Sequence, residues 1–492
     1  MSQTPASRWW LGAAAERSPN ARALTVDGET LTYRELAESA RDLAAALAAR
    51  GVGRDDRVVW LGRASRRTVE LLHAAQLLGA ALCPLSTRST ASELTAQVQR
   101  LRPRIVVCEG DEHDRAIAVA ATAACEVVVG TTVDTTRRAS PSRDDAGKSI
   151  VPVAPLALLC TSGTTGTPKA VVLSNAACHA SALAAGRRLE YGDGQAWLAT
   201  LPLHHVGGLS ILLRAAIFGA EVVLRDGFDA AQARADISRF SIRHASLVPT
   251  MLHRLLALEP VSVASSALAD CCFLVGGAAL AGELVRRAAA GGLDVRATYG
   301  MTEAASQVTT TERGEVVAFP ASAGCALDGT DVRIDAPDRD GYGEIVVTGN
   351  TLFSGYFADA AATHAVLRDG ALFTGDIGRL DAGGRLYVAS RRTDLIVTGG
   401  ENVRPEEVER VLESHPAVAE AGVYGVPDEE WGQRVSAVVV ARDGARIDAA
   451  ELDAWCRARL AAFKIPRLIE VAASLPRTSG GKLMRNKLRE GL

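Results

Sequence analysis

Cys160-Thr-Ser-Gly-Thr-Thr-Gly-Thr-Pro-Lys-Ala-Val-Val-Leu173 is the stretch on which the reading of this chain turns. Hydroxyl and glycine positions run into a lysine, and apolar runs flank them at 156–159 and 171–173. Glycine lets the backbone come close to an anion, and turned backbone N–H groups form a nest for phosphate oxygens. Thr161, Ser162, Thr164 and Thr165 add hydroxyl donors around Gly163 and Gly166, and Lys169 adds a positive charge. A Gly/Ser/Thr linker needs no lysine and rarely sits between two strand-like runs. The G-x-x-x-x-G-K-[ST] spacing of a Walker A loop occurs nowhere in the chain.

Upstream of this loop, strand and helix patterns alternate. Thr32-Tyr-Arg-Glu35 is a capping box that predicts a helix over 32–50. A strand at 57–61, a helix at 68–78 and a strand at 80–85 follow, and a second capping box, Thr90-Ala-Ser-Glu93, opens a helix before a strand at 104–108. Such βα alternation predicts an α/β, doubly wound, mainly parallel sheet. Residues 131–149 are polar and read as a surface loop. Between 320 and 390 short β-rich segments (331–334, 343–347, 385–388) with Gly and Asp pairs predict a small antiparallel barrel or sheet. Beyond 390 a compact α+β tail is expected: a helix with Pro405 at its first position, a strand at 435–440 and a helix at 450–460. The expected division is 1–390 and 391–492, within the prior of roughly two to four domains for this length.

Composition excludes several classes. A net charge of −3 argues against a general nucleic-acid binder. No apolar run approaches the ~20 residues that span a bilayer. The N-terminus has no basic-then-apolar leader pattern, so a cytoplasmic location without membrane insertion is expected. Nine cysteines form no C-x-x-C pair, and Cys271-Cys272 lie in an apolar run, which favours reduced core thiols. The partners expected are small molecules, with a homo-oligomer compatible with this composition.

Four further stretches carry chemistry. Leu201-Pro-Leu-His-His-Val-Gly-Gly-Leu-Ser-Ile211 follows a strand-like 197–200, and its histidines beside glycines suggest a turn where a ring faces a ligand. In Ala297-Thr-Tyr-Gly-Met-Thr-Glu303, a carboxylate directly after a threonine at a loop suits Mg²⁺, which takes one or two carboxylates plus phosphates and water. Phe373-Thr-Gly-Asp376 offers a carboxylate with four acceptor sites. Pro476-Arg-Thr-Ser-Gly-Gly-Lys482 presents a lysine flanked by glycines, as suits a group that enters and leaves a site.

Taken in order, these motifs resemble the adenylate-forming superfamily of acyl-CoA synthetases, adenylation domains and luciferases over nearly the whole chain. The loop has the form T-S-G-T-T-G-x-P-K, with Ala170 where glycine is usual, and Ser390-Arg391 stands where Gly-Arg is usual. The resemblance implies ATP and Mg²⁺ as ligands and CoA as co-substrate. It places Thr161, Ser162, Gly163, Thr164, Thr165, Gly166 and Lys169 on the phosphates. Gly276, Gly277, Tyr299, Gly300 and Met301 line the adenine side, Thr302 meets the α-phosphate, Asp376 the ribose hydroxyls, and Arg391 completes the nucleotide site. Glu303 and Thr165 are the implied metal residues, and Lys482, His205, Thr302 and Glu303 the catalytic ones. The acyl pocket draws on His205, Gly207, Gly277 and the residues below, with His204 as packing. Thr398-Gly-Gly-Glu-Asn402 resembles the loop on the thiol side, which assigns Gly399, Gly400 and Glu401 to CoA. The tail is implied to be mobile, with a hinge near 390.

Amino-acid-activating members usually carry an aspartate after the histidine motif, where this chain has Val206-Gly-Gly-Leu-Ser210. That favours an acyl-CoA ligase. The strings from Leu201 to Arg214, from Tyr299 to Gln307, and Asp428-Glu-Glu-Trp-Gly-Gln433 resemble the o-succinylbenzoate–CoA ligase branch that serves menaquinone synthesis. In that reading Ser210, Arg214 and Gln307 join the acyl pocket. Arg214 is the only charge in the apolar stretch 207–218, four residues after Ser210 and so on the same helical face. Ligation of another aryl or fatty acid, and a non-catalytic nucleotide binder of the same fold, are the alternatives. Retention of Lys482, Glu303 and the whole phosphate loop speaks against the latter.

Overall fold

The computed structural model describes residues 5–130, 149–161, 169–258, 267–278, 280, 282–391, 396–442, 444–476, 483 and 485–489. The chain divides into two compact units. The first comprises residues 1–87, 98–161 and 170–390; the second gathers 88–97 and 162–169 with 391–492.

Two large sheets build the first unit. One has six strands in the order Glu126–Val129, Ile105–Cys108, Arg57–Leu61, Ala81–Leu85, Pro155–Thr161, Lys169–Ser174. Its first five strands pair in parallel. The other has nine strands and is parallel through its centre, from Asp294–Met301 to Arg22–Val26. Antiparallel strands close both rims, Glu29–Thr32 at one and Ser306–Thr310 with Cys325–Ala326 at the other. Alternate residues explain why the centre is apolar throughout: Trp197 and Ala199 enter one core, while Ala196 and Leu198 enter another. The expected capping boxes form. Thr32 and Glu35 exchange hydrogen bonds at the start of the helix Tyr33–Ala48. Thr90 and Glu93 do so before Ala91–Leu101.

The expected antiparallel element pairs Thr330–Asp335, Gly343–Gly349 and Ala371–Leu380, with Leu367–Arg368 and Leu386–Arg391 both on Ala371–Leu380. The polar segment 131–148 lies outside the described residues.

In the second unit a sheet runs Glu401–Val403, Ile396–Thr398, Gly432–Ala441, Val418–Asp428, with Leu468–Ala472 parallel on Gly432–Ala441. The helices Pro405–Glu413 and Ala449–Arg457 bury Val408, Leu412, Leu452 and Cys456 in one core of this unit, and Leu488 packs in a second. Proline occupies the first turn of Pro405–Glu413, where its missing N–H has no helical partner to lose. No described helix is long and apolar enough to cross a membrane.

Candidate active site

The site of the first unit grows from the end of the strand Asp294–Met301. The strand carries Tyr299, Gly300 and Met301 out of the sheet, and a single 3-10 turn, Thr302–Ala304, reverses the chain into Ser306–Thr310. The Thr302–Glu303 pair therefore sits on this tight turn, where Ala305 and Ser306 both adopt positive φ. Gly300 makes the reversal possible: a Cβ there would lie 1.8 Å from the Ser306 carbonyl oxygen. Gly276, after the strand Cys272–Val275, faces a similar limit, with Thr298 Cγ2 2.6 Å from an added Cβ. Gly277 is exposed with φ +82.

Three hydrogen bonds join segments far apart in the chain. Tyr299 donates its hydroxyl to Asp376 Oδ2 at 2.9 Å, and both residues are buried. Tyr356 donates to Glu303 Oε1 at 2.8 Å, while the Phe353 N–H donates to the Glu303 carbonyl at 2.9 Å. The segment carrying Tyr356 is stitched to the strand Lys169–Ser174, through Val172 N to Gly355 O (3.0 Å) and Phe357 N to Ala170 O (2.8 Å). Glu303 is thereby tied to the strand that follows the glycine-rich loop. Asp376 itself is set by a turn in which its N–H donates to Thr374 Oγ1, the Gly375 N–H donates to Glu344, and Gly375 has φ +74. No sequence signal singled out Tyr356.

The residues expected on the acyl side stand at the start of the helix Val206–Phe218. His205 is its N-cap residue, half-buried, and its ring lies 4.4 Å from that of His204. Gly207, expected in the acyl pocket, has room for a Cβ at 3.4 Å from Leu201. The glycine that packing requires is Gly208, where a Cβ would meet the Pro202 carbonyl at 2.4 Å. One turn further on, Ser210 Oγ reaches the Gly207 carbonyl at 3.2 Å and Ser306 Oγ at 3.4 Å.

Arg214 is 2% exposed, not a surface arginine. Its Nε donates to the Ser210 carbonyl at 3.0 Å and its Nη2 to Ser210 Oγ, so the side chain folds back over the preceding turn. Its Nη1 has no partner among the described residues, and Gln307, 3% exposed, has none for either end of its amide. Burial lowers the guanidinium pKa to about 10, an effect that the nearby Tyr191 hydroxyl opposes. Around it lie Trp197, with the Arg214 Cζ 4.6 Å from its ring centroid, and Tyr191 and His244, which pack on Trp197. These aromatic neighbours were invisible to motif reading, because they come from three separate segments.

Apart from Thr161, in the first unit, the remaining assignments fall in the second unit or outside the described residues. Thr161 ends the strand Pro155–Thr161 and Lys169 begins Lys169–Ser174. Ser162, Gly163, Thr164, Thr165, Gly166 and Lys482 lie outside the described residues, as does the side chain of Arg391. The loop expected on the thiol side is a two-residue hairpin: Gly399 and Gly400, with φ +58 and +86, join Ile396–Thr398 to Glu401–Val403. Such paired positive φ values are what two-residue hairpin turns of this kind demand. Glu401 is buried and pairs with Arg88 at 2.9 Å. Beside this hairpin a cavity of about 660 Å³ is lined by Thr398, Trp431, Arg434, Phe463 and Arg467, among others.

The residues present fit a nucleotide and a divalent cation. A glycine-limited strand end, a buried Tyr–Asp pair and a carboxylate on the turn beside them are the donor and acceptor types those groups take.

Comparison with known proteins agrees. The chain is 37% identical to a 2-succinylbenzoate–CoA ligase of Geobacillus kaustophilus over 98% of this chain and 97% of the relative. It is 34% identical to the Bacillus cereus enzyme of that name, over 98% of each. Solved structures of o-succinylbenzoate CoA synthetase from Bacillus subtilis superpose on it. A double mutant bound to a product analogue has a TM-score of 0.89 at 32% identity, over 99% of both chains. The complex with ATP and a magnesium ion has 0.73 at 33%, over 99% and 100%. Residues 11–357 match the AMP-binding enzyme family, and residues 407–482 match the AMP-binding enzyme C-terminal domain. This chain belongs to the AMP-binding enzyme family, the adenylate-forming group that its motifs resemble.

Proposed function

We propose that this chain is an AMP-forming carboxylate–CoA ligase whose acyl substrate is o-succinylbenzoate. In the first half-reaction the succinyl carboxylate attacks the α-phosphorus of ATP, the bond to the bridging oxygen breaks, and pyrophosphate leaves. In the second the CoA sulfur attacks the acyl carbonyl of the resulting anhydride, the thiol proton is lost, and AMP leaves with the C–O bonding pair. Positioning and charge stabilisation supply most of the acceleration.

The roles are those that the motifs imply. Thr161, Lys169 and the intervening loop hold phosphate oxygens, and Asp376, fixed by Tyr299, accepts from the ribose. Thr302 meets the α-phosphate where the strand Asp294–Met301 turns. Glu303, oriented by Tyr356, and Thr165 would hold Mg²⁺, which when bound neutralises phosphate charge. His205, Gly207, Ser210 and Gln307 line the acyl pocket. Residues 1–390 are the nucleotide and acyl domain, and 391–492 the domain that supplies Lys482 to the first half-reaction and Gly399–Glu401 to the second.

The observation that carries the substrate assignment is Arg214. A buried guanidinium with an unpartnered Nη1, beside a Gln307 with both amide ends unpaired, suits a second carboxylate that does not react. A monocarboxylate would leave that charge uncompensated. The relatives named for 2-succinylbenzoate support the same choice. The test is a panel of carboxylic acids scored by CoA- and ATP-dependent release of AMP and pyrophosphate. o-Succinylbenzoate is expected to be turned over far faster than benzoate, fatty acids or the analogue lacking the aryl carboxylate. Equal turnover of that analogue overturns the assignment, and release of phosphate instead of pyrophosphate overturns the reaction.

A further inference from the structure

Arg214 has no carboxylate within ion-pair distance among the described residues, and Tyr191 is the one titratable group that raises its pKa. A buried cation in that position needs another source of negative potential, and the ring face of Trp197 provides it at 4.6 Å. Trp197 is itself immobilised. It is fully buried in the strand Ala196–Ala199. Its Nε1 donates to Ser246 Oγ at 3.1 Å, His244 stacks on it at 4.9 Å and 24°, and Tyr191 meets it edge-on at 4.8 Å. His244 is in turn anchored by its Nε2 to the Leu189 carbonyl at 2.8 Å.

We infer that Trp197 is the positioning residue for the guanidinium that reads the second carboxylate, and so helps to select dicarboxylic over monocarboxylic substrates. The inference rests on the reading of Arg214 given above. Stacking uses the flat face of a guanidinium and leaves its edge donors in plane. Nε and one N–H of Nη2 are spent on Ser210, and Nη1, without a partner among the described residues, is left for an anion. A bulky apolar side chain in place of Trp197 would fill the space but would not hold that plane.

The discriminating experiment keeps the shape of the ring and changes only its charge. Tryptophans of increasing fluorination are placed at 197 in the full chain, and kcat and KM are measured for o-succinylbenzoate and for the analogue lacking the aryl carboxylate. KM for the dicarboxylate should rise stepwise, to roughly tenfold at full fluorination, while KM for the analogue stays within about twofold. Trp197→Phe should fall between native and fluorinated protein. Equal shifts on both substrates, or none, overturn the inference. Arg214→Ala separates the two readings. If it raises KM for the dicarboxylate selectively while fluorination does nothing, only the role of Trp197 fails. If it too affects both substrates equally, the dicarboxylate reading fails and this inference falls with it.

Discussion

Two side chains bear the sharpest consequences at the scale of single residues. Arg214→Ala removes a buried cation that nothing in its surroundings replaces. Losing one member of a buried charge pair costs roughly 3–5 kcal/mol, so kcat/KM for o-succinylbenzoate is expected to fall on the order of 10²–10³-fold. Turnover of an analogue without the aryl acid should change far less, and steady-state kinetics on both compounds checks it. Glu303→Gln keeps the hydrogen bond from Tyr356, because an amide oxygen also accepts, but it removes the negative charge that holds a hard cation. The expected result is a right-shifted Mg²⁺ titration of activity with little change in thermal stability. An unshifted titration takes Glu303 out of the metal site.

For the elements, the turn between Asp294–Met301 and Ser306–Thr310 is the most constrained. The turn and its two strands carry Tyr299, Thr302, Glu303 and Gln307 within nine residues, so a small change in register moves every one of them. The register already shifts between Tyr299 and Gly300. Gly300→Ala would drive a methyl into the Ser306 backbone, which cannot rotate away as a side chain could. Overpacking of this sort typically costs about 1–3 kcal/mol. A lowered Tm together with at least a tenfold loss of pyrophosphate release is expected, whereas Gly207→Ala, with space around it, should be milder in Tm. Calorimetry on the two variants makes the comparison.

On the scale of the whole molecule, acid should unfold the first unit early. Burial lowers the pKa of His73 from 6.5 to about 4, and that of His244 likewise to about 4, aided by the charge of Arg214. Below pH 6.5 the unfolded chain binds protons that the folded chain refuses, so stability is full above that pH and falls as pH drops toward 4. Each histidine is worth roughly 3 kcal/mol over this window, a large share of an ordinary folding free energy. Tm measured against pH should drop steeply there, and His73→Gln should flatten the slope. The two half-reactions divide the molecule in another way. Lys482→Ala should slow adenylate formation by about 10²–10³-fold while sparing thioester formation from pre-made acyl-AMP. Comparable loss in both would make the lysine structural.

The sequence by itself determined the family, the order of the motifs, the βα alternation and most element positions. Each of these is written in local patterns: capping boxes at Thr32 and Thr90, apolar runs of strand length, glycines beside a lysine. It also determined that Arg214 is alone among apolar residues. It could not say that Arg214 is buried, that Tyr299 reaches Asp376 across 77 positions, or that Tyr356 orients Glu303. Nor could it tell Gly207 from Gly208, since the difference is one carbonyl, that of Pro202, lying 2.4 Å from where a Cβ would stand. Only the tertiary structure decided these, because hydrogen bonding, burial and steric exclusion depend on which segments the sheets bring side by side. The ring under Arg214 comes from a strand and the guanidinium from the following helix, and no local signal records that they meet.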